Sequence, residues 1–205
     1  MNVAILVGGR GRRLGGAEKS QIRICGKKII ERLIEEFAEF ETVIVCRDEG
    51  QKRLFEGHRC VVDSVRNFGP LAGIHSALSY FSSRTAVVAC DMPFVKAKVL
   101  EKLYAEAEKC DADALLPVWS DGRLEPLLAV YSPKILLEIE RSFEKNERKI
   151  LAPVFRSNNV ALYDIECLRK IDKNLLSFFN VNTREDVERA EKLCLSIDLG
   201  GKSQI

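Results

Sequence analysis

The sequence predicts an α/β domain: a mostly parallel sheet with helices on both faces, in the three-layer, Rossmann-like arrangement. Three observations carry that expectation. Short β-branched runs alternate along the chain with amphipathic stretches of roughly ten to fourteen residues. The strongest runs, Asn2 to Val7 and Thr85 to Cys90, are apolar almost throughout, as strands covered on both faces are. Glycine or aspartate follows directly at the ends of several runs, and in open parallel sheets ligands bind beyond the carboxyl ends of the strands.

Each element has its own signal. Asn2 to Val7 is a buried strand ended by glycines. Ile29 to Phe40 places Ile29, Ile30, Leu33, Ile34, Phe37 and Ala38 at the three-four spacing of a helix lying on a sheet. Thr42 to Cys46 and Cys60 to Val62 read as strands, Ala72 to Phe81 as a helix, and Thr85 to Cys90 as a central strand ending at Asp91. A helix over Ala97 to Cys110 precedes strands over Ala112 to Val118 and Leu124 to Tyr131, the latter interrupted by Pro126. Pro133 opens a helix over Lys134 to Phe143, where its missing N–H has no helical partner to lose. The stretches 150–156 and 159–162 give no decisive pattern. Phe178 to Val181 reads as a short strand, and Thr183 caps a helix to Leu193, with Asp186 placed to reciprocate. One domain over residues 1–195 and a frayed tail over 196–205 are expected.

Composition narrows the function classes. A net charge of +2 over 205 residues is too small for a nucleic-acid surface, and no stretch is apolar enough to span a membrane. The basic start and small-residue cleavage site of a signal peptide are absent, so a cytoplasmic protein is expected. The seven cysteines are dispersed without zinc or redox spacing. They read as small buried hydrophobes in a reducing compartment rather than as a disulfide framework.

Between Gly8 and Lys19 lie five glycines and four cationic residues. Glycines let a backbone turn its N–H groups onto phosphates at close range, and the cations offset the charge of a nucleoside triphosphate. The competing reading is a solvated basic loop. The segment fits neither a Walker loop, which needs Gly-Lys-Ser/Thr, nor the dinucleotide fingerprint, since Leu14 stands where the third glycine belongs. Lys19 is the first choice for a β- or γ-phosphate and Arg13 the second.

Asp91 is the first polar residue after a buried strand, before Pro93. A carboxylate at a rigid strand end suits Mg²⁺; the alternative is a cap for the next helix. Asp63 likewise ends a strand, ahead of Gly69-Pro70-Leu71-Ala72-Gly73, and is either a cap or a ligand contact. Asn180 and Asn182 can read a heteroaromatic edge across the cleft from the glycine loop, or Asn182 can cap the last helix. Arg156 and Lys149 are candidates for an acceptor phosphate, although no spacing singles them out.

Gly8-Gly9-x-x-x-Arg13-Leu14-Gly15-Gly16-x-x-Lys19, Cys90-Asp91-x-Pro93 and Asp63 with the following Gly-Pro-Leu-Ala-Gly closely resemble the signatures of the molybdenum cofactor guanylyltransferases. More loosely they resemble those of sugar-phosphate and other small-molecule nucleotidyltransferases. Glu18 stands where the family usually has Asp, and Gly26-Lys27-Lys28-Ile29 lacks the family's proline. The resemblance implies a nucleotide-diphospho-sugar transferase-like fold. It also implies Mg²⁺-dependent transfer of GMP from GTP to the terminal phosphate of a molybdopterin-type acceptor, with release of pyrophosphate. Carried over by residue, it implies catalysis by Lys19, Arg13 and Asp91, and nucleotide binding by Leu6, Gly8, Gly9, Lys19, Asp63 and Asp91. Metal contact falls to Asp91 and Asp63, acceptor binding to Glu125, Asn180 and Asn182, and transient contact with molybdenum cofactor-handling proteins is expected. The alternative within the same chemistry is another NTP or another phosphorylated acceptor.

Overall fold

A computed structural model describes residues 1–8, 10–11 and 17–200. In chain order the strands are β1 (Asn2–Leu6), β2 (Arg10–Gly11), β3 (Ala17–Glu18), β4 (Arg23–Ile24), β5 (Lys27–Lys28), β6 (Glu41–Cys46), β7 (Cys60–Val62), β8 (Thr85–Ala89), β9 (Ala114–Val118), β10 (Leu128–Tyr131) and β11 (Val160–Asp164). The helices are α1 (Ile29–Glu36), α2 (Glu49–Lys52), α3 (Pro70–Phe81), α4 (Ala97–Lys109), α5 (Leu136–Glu144), α6 (Leu151–Arg156) and α7 (Arg184–Gly200). Seven strands make one sheet in the order β11-β9-β10-β8-β1-β6-β7, in which β10 alone runs antiparallel to its neighbours β8 and β9. The mostly parallel, Rossmann-like sheet flanked by helices is thus the fold.

The strands are buried on both faces. Val3 and Ile5 of β1 join Val88 in a core shared with Ile30 and Leu33 of α1 and Leu100 and Leu103 of α4. Ala4 and Leu6, pointing the other way, join Val87 under Leu71, Ile74 and Leu78 of α3 and Ile139 of α5. This two-sided burial is why the strand sequences carry no polar alternation.

Several details differ from the sequence reading or add to it. Residues 176–178 form a single 3₁₀ turn, and Val181 contributes one N–H to Asp91 O at 2.8 Å instead of a strand ladder. Strand β10 starts at Leu128, because Pro126 offers no donor to a ladder; upstream, Leu124 makes an isolated bridge to Val118. Residues 151–156 are helical, and α7 continues to Gly200, into the segment read as a tail. Finally, Cys25 and Cys194 are disulfide-bonded, with Cα atoms 6.3 Å apart. Of the others, Cys46 and Cys90 are buried, whereas Cys110 and Cys167 are exposed, against the expectation of small core residues. No helix among the described residues is long and apolar enough to cross a membrane.

Candidate active site

Because β1, β6, β7 and β8 are parallel, their carboxyl ends share one edge of the sheet, and the hydrogen bonds just past the ladder keep them in step. Val7 N–H donates to Val45 O at 3.0 Å, Cys90 N–H to Leu6 O at 3.0 Å and Asp63 N–H to Cys46 O at 2.8 Å. Above this edge opens a cavity of about 850 Å³, lined by Leu6, Gly8, Lys19, Asp63 and Asp91 among others. Five of the residues read as nucleotide contacts therefore meet in one place. Gly9 and Arg13 lie outside the described residues. Two glycines shape the cavity floor: Gly69 has φ +58°, left-handed backbone that a side chain would strain, and a Cβ on Gly73 would meet Leu6 at 3.2 Å.

Lys19 is the junction of the site. Its Nζ donates to Asp91 Oδ2 at 2.8 Å and to Asn182 Oδ1 at 2.5 Å, with both partners of the Lys19–Asp91 pair under one-fifth exposed. The other Asp91 oxygen, Oδ1, is buried without a hydrogen-bond partner among the described residues. Asp91 is not a helix cap, since α4 begins at Ala97 with Lys96 at its N-cap. Asp63 Oδ1 is also buried without a partner among the described residues, and burial raises this carboxyl from 3.8 to about 7. It caps nothing either, as α3 begins at Pro70 behind Gly69.

Metal contact was expected of both Asp91 and Asp63, and the strand order bears on whether one ion could take both. β1 and β6 stand between β8 and β7. Three strand spacings separate the two ends by roughly 14 Å, too far for two short carboxylates to meet on one ion. Asp91 keeps the fit to a metal: a buried, unsatisfied carboxylate oxygen beside a phosphate-type loop is what Mg²⁺ uses when phosphates and waters complete its shell. Among the described residues no three or more His, Cys, Asp or Glu side chains gather as a metal cage.

On the acceptor side, Ala89 N–H donates to Leu127 O at 2.9 Å, which brings Glu125-Pro126-Leu127 alongside the end of β8. Trp119 Nε1–H donates to Glu125 Oε1 at 2.7 Å; burial pushes the Glu125 carboxyl up, and the indole N–H only partly offsets it. The Val181–Asp91 bond pins Asn180 and Asn182 beside the same strand end. Thr183 Oγ1 accepts from Asp186 N–H at 3.2 Å while Asp186 accepts from Thr183 N–H at 2.9 Å, so the cap is Thr183, leaving the Asn182 side chain for Lys19. Asn182 therefore touches the end of the loop rather than facing it across a cleft. Asn180 Nδ2 donates to Phe178 O at 3.1 Å. Arg156 is occupied elsewhere: it pairs with Glu138 and Glu147 and ties α6 to α5.

Sequence reasoning missed several contributors. Arg66 and Arg148 line the cavity, with the Arg148 guanidinium 5.8 Å from the Phe68 ring centroid. Arg47 lines it too and forks onto Glu18 through Nη1 and Nη2. Gln51 is 2% exposed and bonds both Val7 O and Glu18. A basic residue just after a strand, as Arg47 follows Cys46, was the one available signal.

A rim that can seat phosphates against Lys19 and a carboxylate at the end of the neighbouring strand belongs to a nucleotidyltransferase. Comparison with known proteins narrows this. Residues 3–161 match the MobA-like NTP transferase domain. A probable molybdenum cofactor guanylyltransferase of Methanosarcina acetivorans is 40% identical over 197 residues, covering 90% of this chain and 87% of the relative. Another, of Thermococcus kodakarensis, is 37% identical over 195 residues, 93% of this chain and 94% of that one. The crystal structure of molybdopterin-guanine dinucleotide biosynthesis protein A from Archaeoglobus fulgidus superposes with a TM-score of 0.89 at 47% identity, over 96% of this chain and 100% of that one. The chain belongs to the MobA-like NTP transferase family.

Proposed function

We propose that the protein transfers GMP from GTP to the terminal phosphate of a molybdopterin-type acceptor, with Mg²⁺ and with release of pyrophosphate. The carrying observation is the meeting of Lys19, Asp91 and Asn182, which brings the glycine loop, the β8 end and the acceptor-side segment to one cation. The names of the relatives, guanylyltransferase and molybdopterin-guanine dinucleotide biosynthesis protein, support the base and the acceptor.

In this reading an oxygen of the acceptor phosphate attacks the α-phosphorus of GTP, a new P–O bond forms, the bond to the bridging oxygen breaks, and pyrophosphate leaves. A phosphate oxygen is already anionic near neutral pH, so the step needs no general base, in keeping with a cavity lined by no histidine. Lys19 offsets charge on the phosphates, and glycine-loop N–H groups hold the leaving pyrophosphate in line. Asp91 is the residue that would hold Mg²⁺, whose contribution when bound is charge neutralisation at the α-phosphate. At the far end of the cavity, Asp63 Oδ1 is an acceptor in want of a donor, and guanine supplies N1–H and N2–H where adenine does not.

Pyrophosphate release measured with purified molybdopterin and each NTP in turn tests the proposal. GTP should exceed ATP and CTP in kcat/KM by about tenfold or more. Equal turnover of the three would remove the guanine assignment, and no pyrophosphate with any of them would remove nucleotidyl transfer to this acceptor.

A further inference from the structure

The stretch from Gly8 to Glu18 is glycine-rich, and glycine-rich chain loses more freedom on ordering than any other. Yet one side chain holds both of its ends. The Gln51 carboxamide donates from Nε2 to Val7 O at 2.7 Å and to Glu18 Oε2 at 2.7 Å. Its Oε1 accepts the Arg47 N–H at 2.9 Å, and its own backbone N–H is fixed by Asp48 Oδ1 at 2.7 Å. Val7 is the residue before the loop, Glu18 the residue before Lys19, and Arg47 the residue after β6. All three side-chain bonds are made by a group 2% exposed to solvent, where an unmade bond is costly.

We propose that Gln51 is a positioning residue for nucleotide binding: it clamps the two ends of the phosphate-binding loop and so sets Lys19 against Asp91. The proposal rests on the nucleotidyl-transfer reading only in taking this loop to bind a triphosphate. Only a primary amide meets all three demands, two donors and one acceptor on a planar group. A buried residue serving the sheet alone would need Val7 O and Arg47 N–H as partners. The bond to Glu18 is additional and reaches the loop's far end. Arg47 reinforces it by forking onto the same carboxylate. With the clamp in place the two ends of the loop are held before substrate arrives; without it, part of the binding free energy goes into fixing them.

The consequence is selective. Loss of the clamp should weaken NTP binding and raise the KM for GTP while leaving the KM for the acceptor alone. Three variants test this: Gln51→Met keeps length and removes every side-chain hydrogen bond; Gln51→Glu keeps the acceptor but sets two carboxylates together; and Glu18→Gln added to Gln51→Glu returns a donor to that pair. Titrate each folded protein with Mg·GTP and measure pyrophosphate release against both substrates. Gln51→Met and Gln51→Glu should each raise the GTP Kd about tenfold or more, with the acceptor KM within about twofold, and the double variant should recover part of the loss. GTP affinity unchanged in both single variants overturns the clamp, as does an equal rise in both KM values or a double variant no better than Gln51→Glu. Should Gln51→Met fail to fold, Gln51→Glu against the double variant decides alone. A wild-type protein that binds no NTP refutes the underlying reading instead, before any variant is compared.

Discussion

Lys19 Nζ donates to Asn182 Oδ1 across 163 residues of chain, at 2.5 Å. The contact makes Asn182 a partner of the lysine proposed to bind phosphate as well as a neighbour of the proposed acceptor side, whereas among the described residues Asn180 bonds the backbone of Phe178 alone. The two asparagines should therefore separate kinetically. Asn182→Ala frees the lysine and should raise the KM of both GTP and acceptor. Asn180→Ala should raise the acceptor KM with the GTP KM nearly unchanged. Initial rates over a grid of the two substrate concentrations check this; identical profiles for the two variants would refute the division of labour.

Asp91 accepts from Lys19 with one oxygen, and the other is buried and unpartnered among the described residues. Asn in its place keeps an acceptor for Lys19 and nearly the same volume but removes the negative charge. Asp91→Asn should lower kcat/KM for GTP at saturating Mg²⁺ by about 10²-fold or more, roughly 3 kcal/mol at the transition state, with a thermal midpoint close to that of wild type. Near-wild-type turnover in the stable variant would rule out a metal-holding role.

The residues legible in the sequence were those whose chemistry is announced by position along the chain. Asp63 and Asp91 directly follow strands whose apolar runs stop abruptly, Lys19 closes the glycine loop that follows β1, and a parallel sheet brings such ends together whatever the strand order. The strand order itself was not legible, nor was the distance between Asp63 and Asp91: nothing local to Cys60–Val62 says that it lies at the sheet edge. Gln51 was missed because a glutamine in Glu49–Lys52, among charged neighbours, has the pattern of a solvated turn; only tertiary packing buries it. Arg156 shows the opposite error, a cation whose partners Glu138 and Glu147 come from α5 and the loop that follows it.

The Cys25–Cys194 bond ties the turn between β4 and β5 to α7, where Glu191 Oε1 also accepts the Cys25 N–H at 2.8 Å. A link closing 169 residues of sequence restricts the unfolded chain and should contribute about 2–5 kcal/mol. In a chain of this size that is a fall of about 5–15 °C in thermal midpoint on treatment with dithiothreitol or on Cys194→Ser. Thiol titration of the denatured protein should find five reactive groups before reduction and seven after. Seven from the outset, with a midpoint indifferent to reductant, would show that the bond does not form.

Asp63 gives stability a pH dependence whose sign follows from burial. Its carboxyl titrates near 3.8 when exposed and at about 7 in the folded protein, with desolvation as the cause. Between those values the folded state holds a proton that the unfolded state has released, so stability is greatest below about pH 4 and declines as pH rises through 7. Above that the fold carries a desolvated charge, a cost that a donor on the ligand would relieve. Asparagine has no such titration. In nucleotide-free protein with a chelator present, the midpoint of Asp63→Asn relative to wild type should therefore rise between pH 5 and pH 8 and level off beyond. Subtracting the two curves cancels the other titrating groups, provided that they are not coupled to this one. A difference that stays flat from pH 5 to pH 8 would mean that Asp63 is already ionised at pH 5. A cation beside the carboxylate would give the same flat difference, because the group would then be ionised in both states above about pH 4; Arg66, lining the same cavity, is the candidate by chain position.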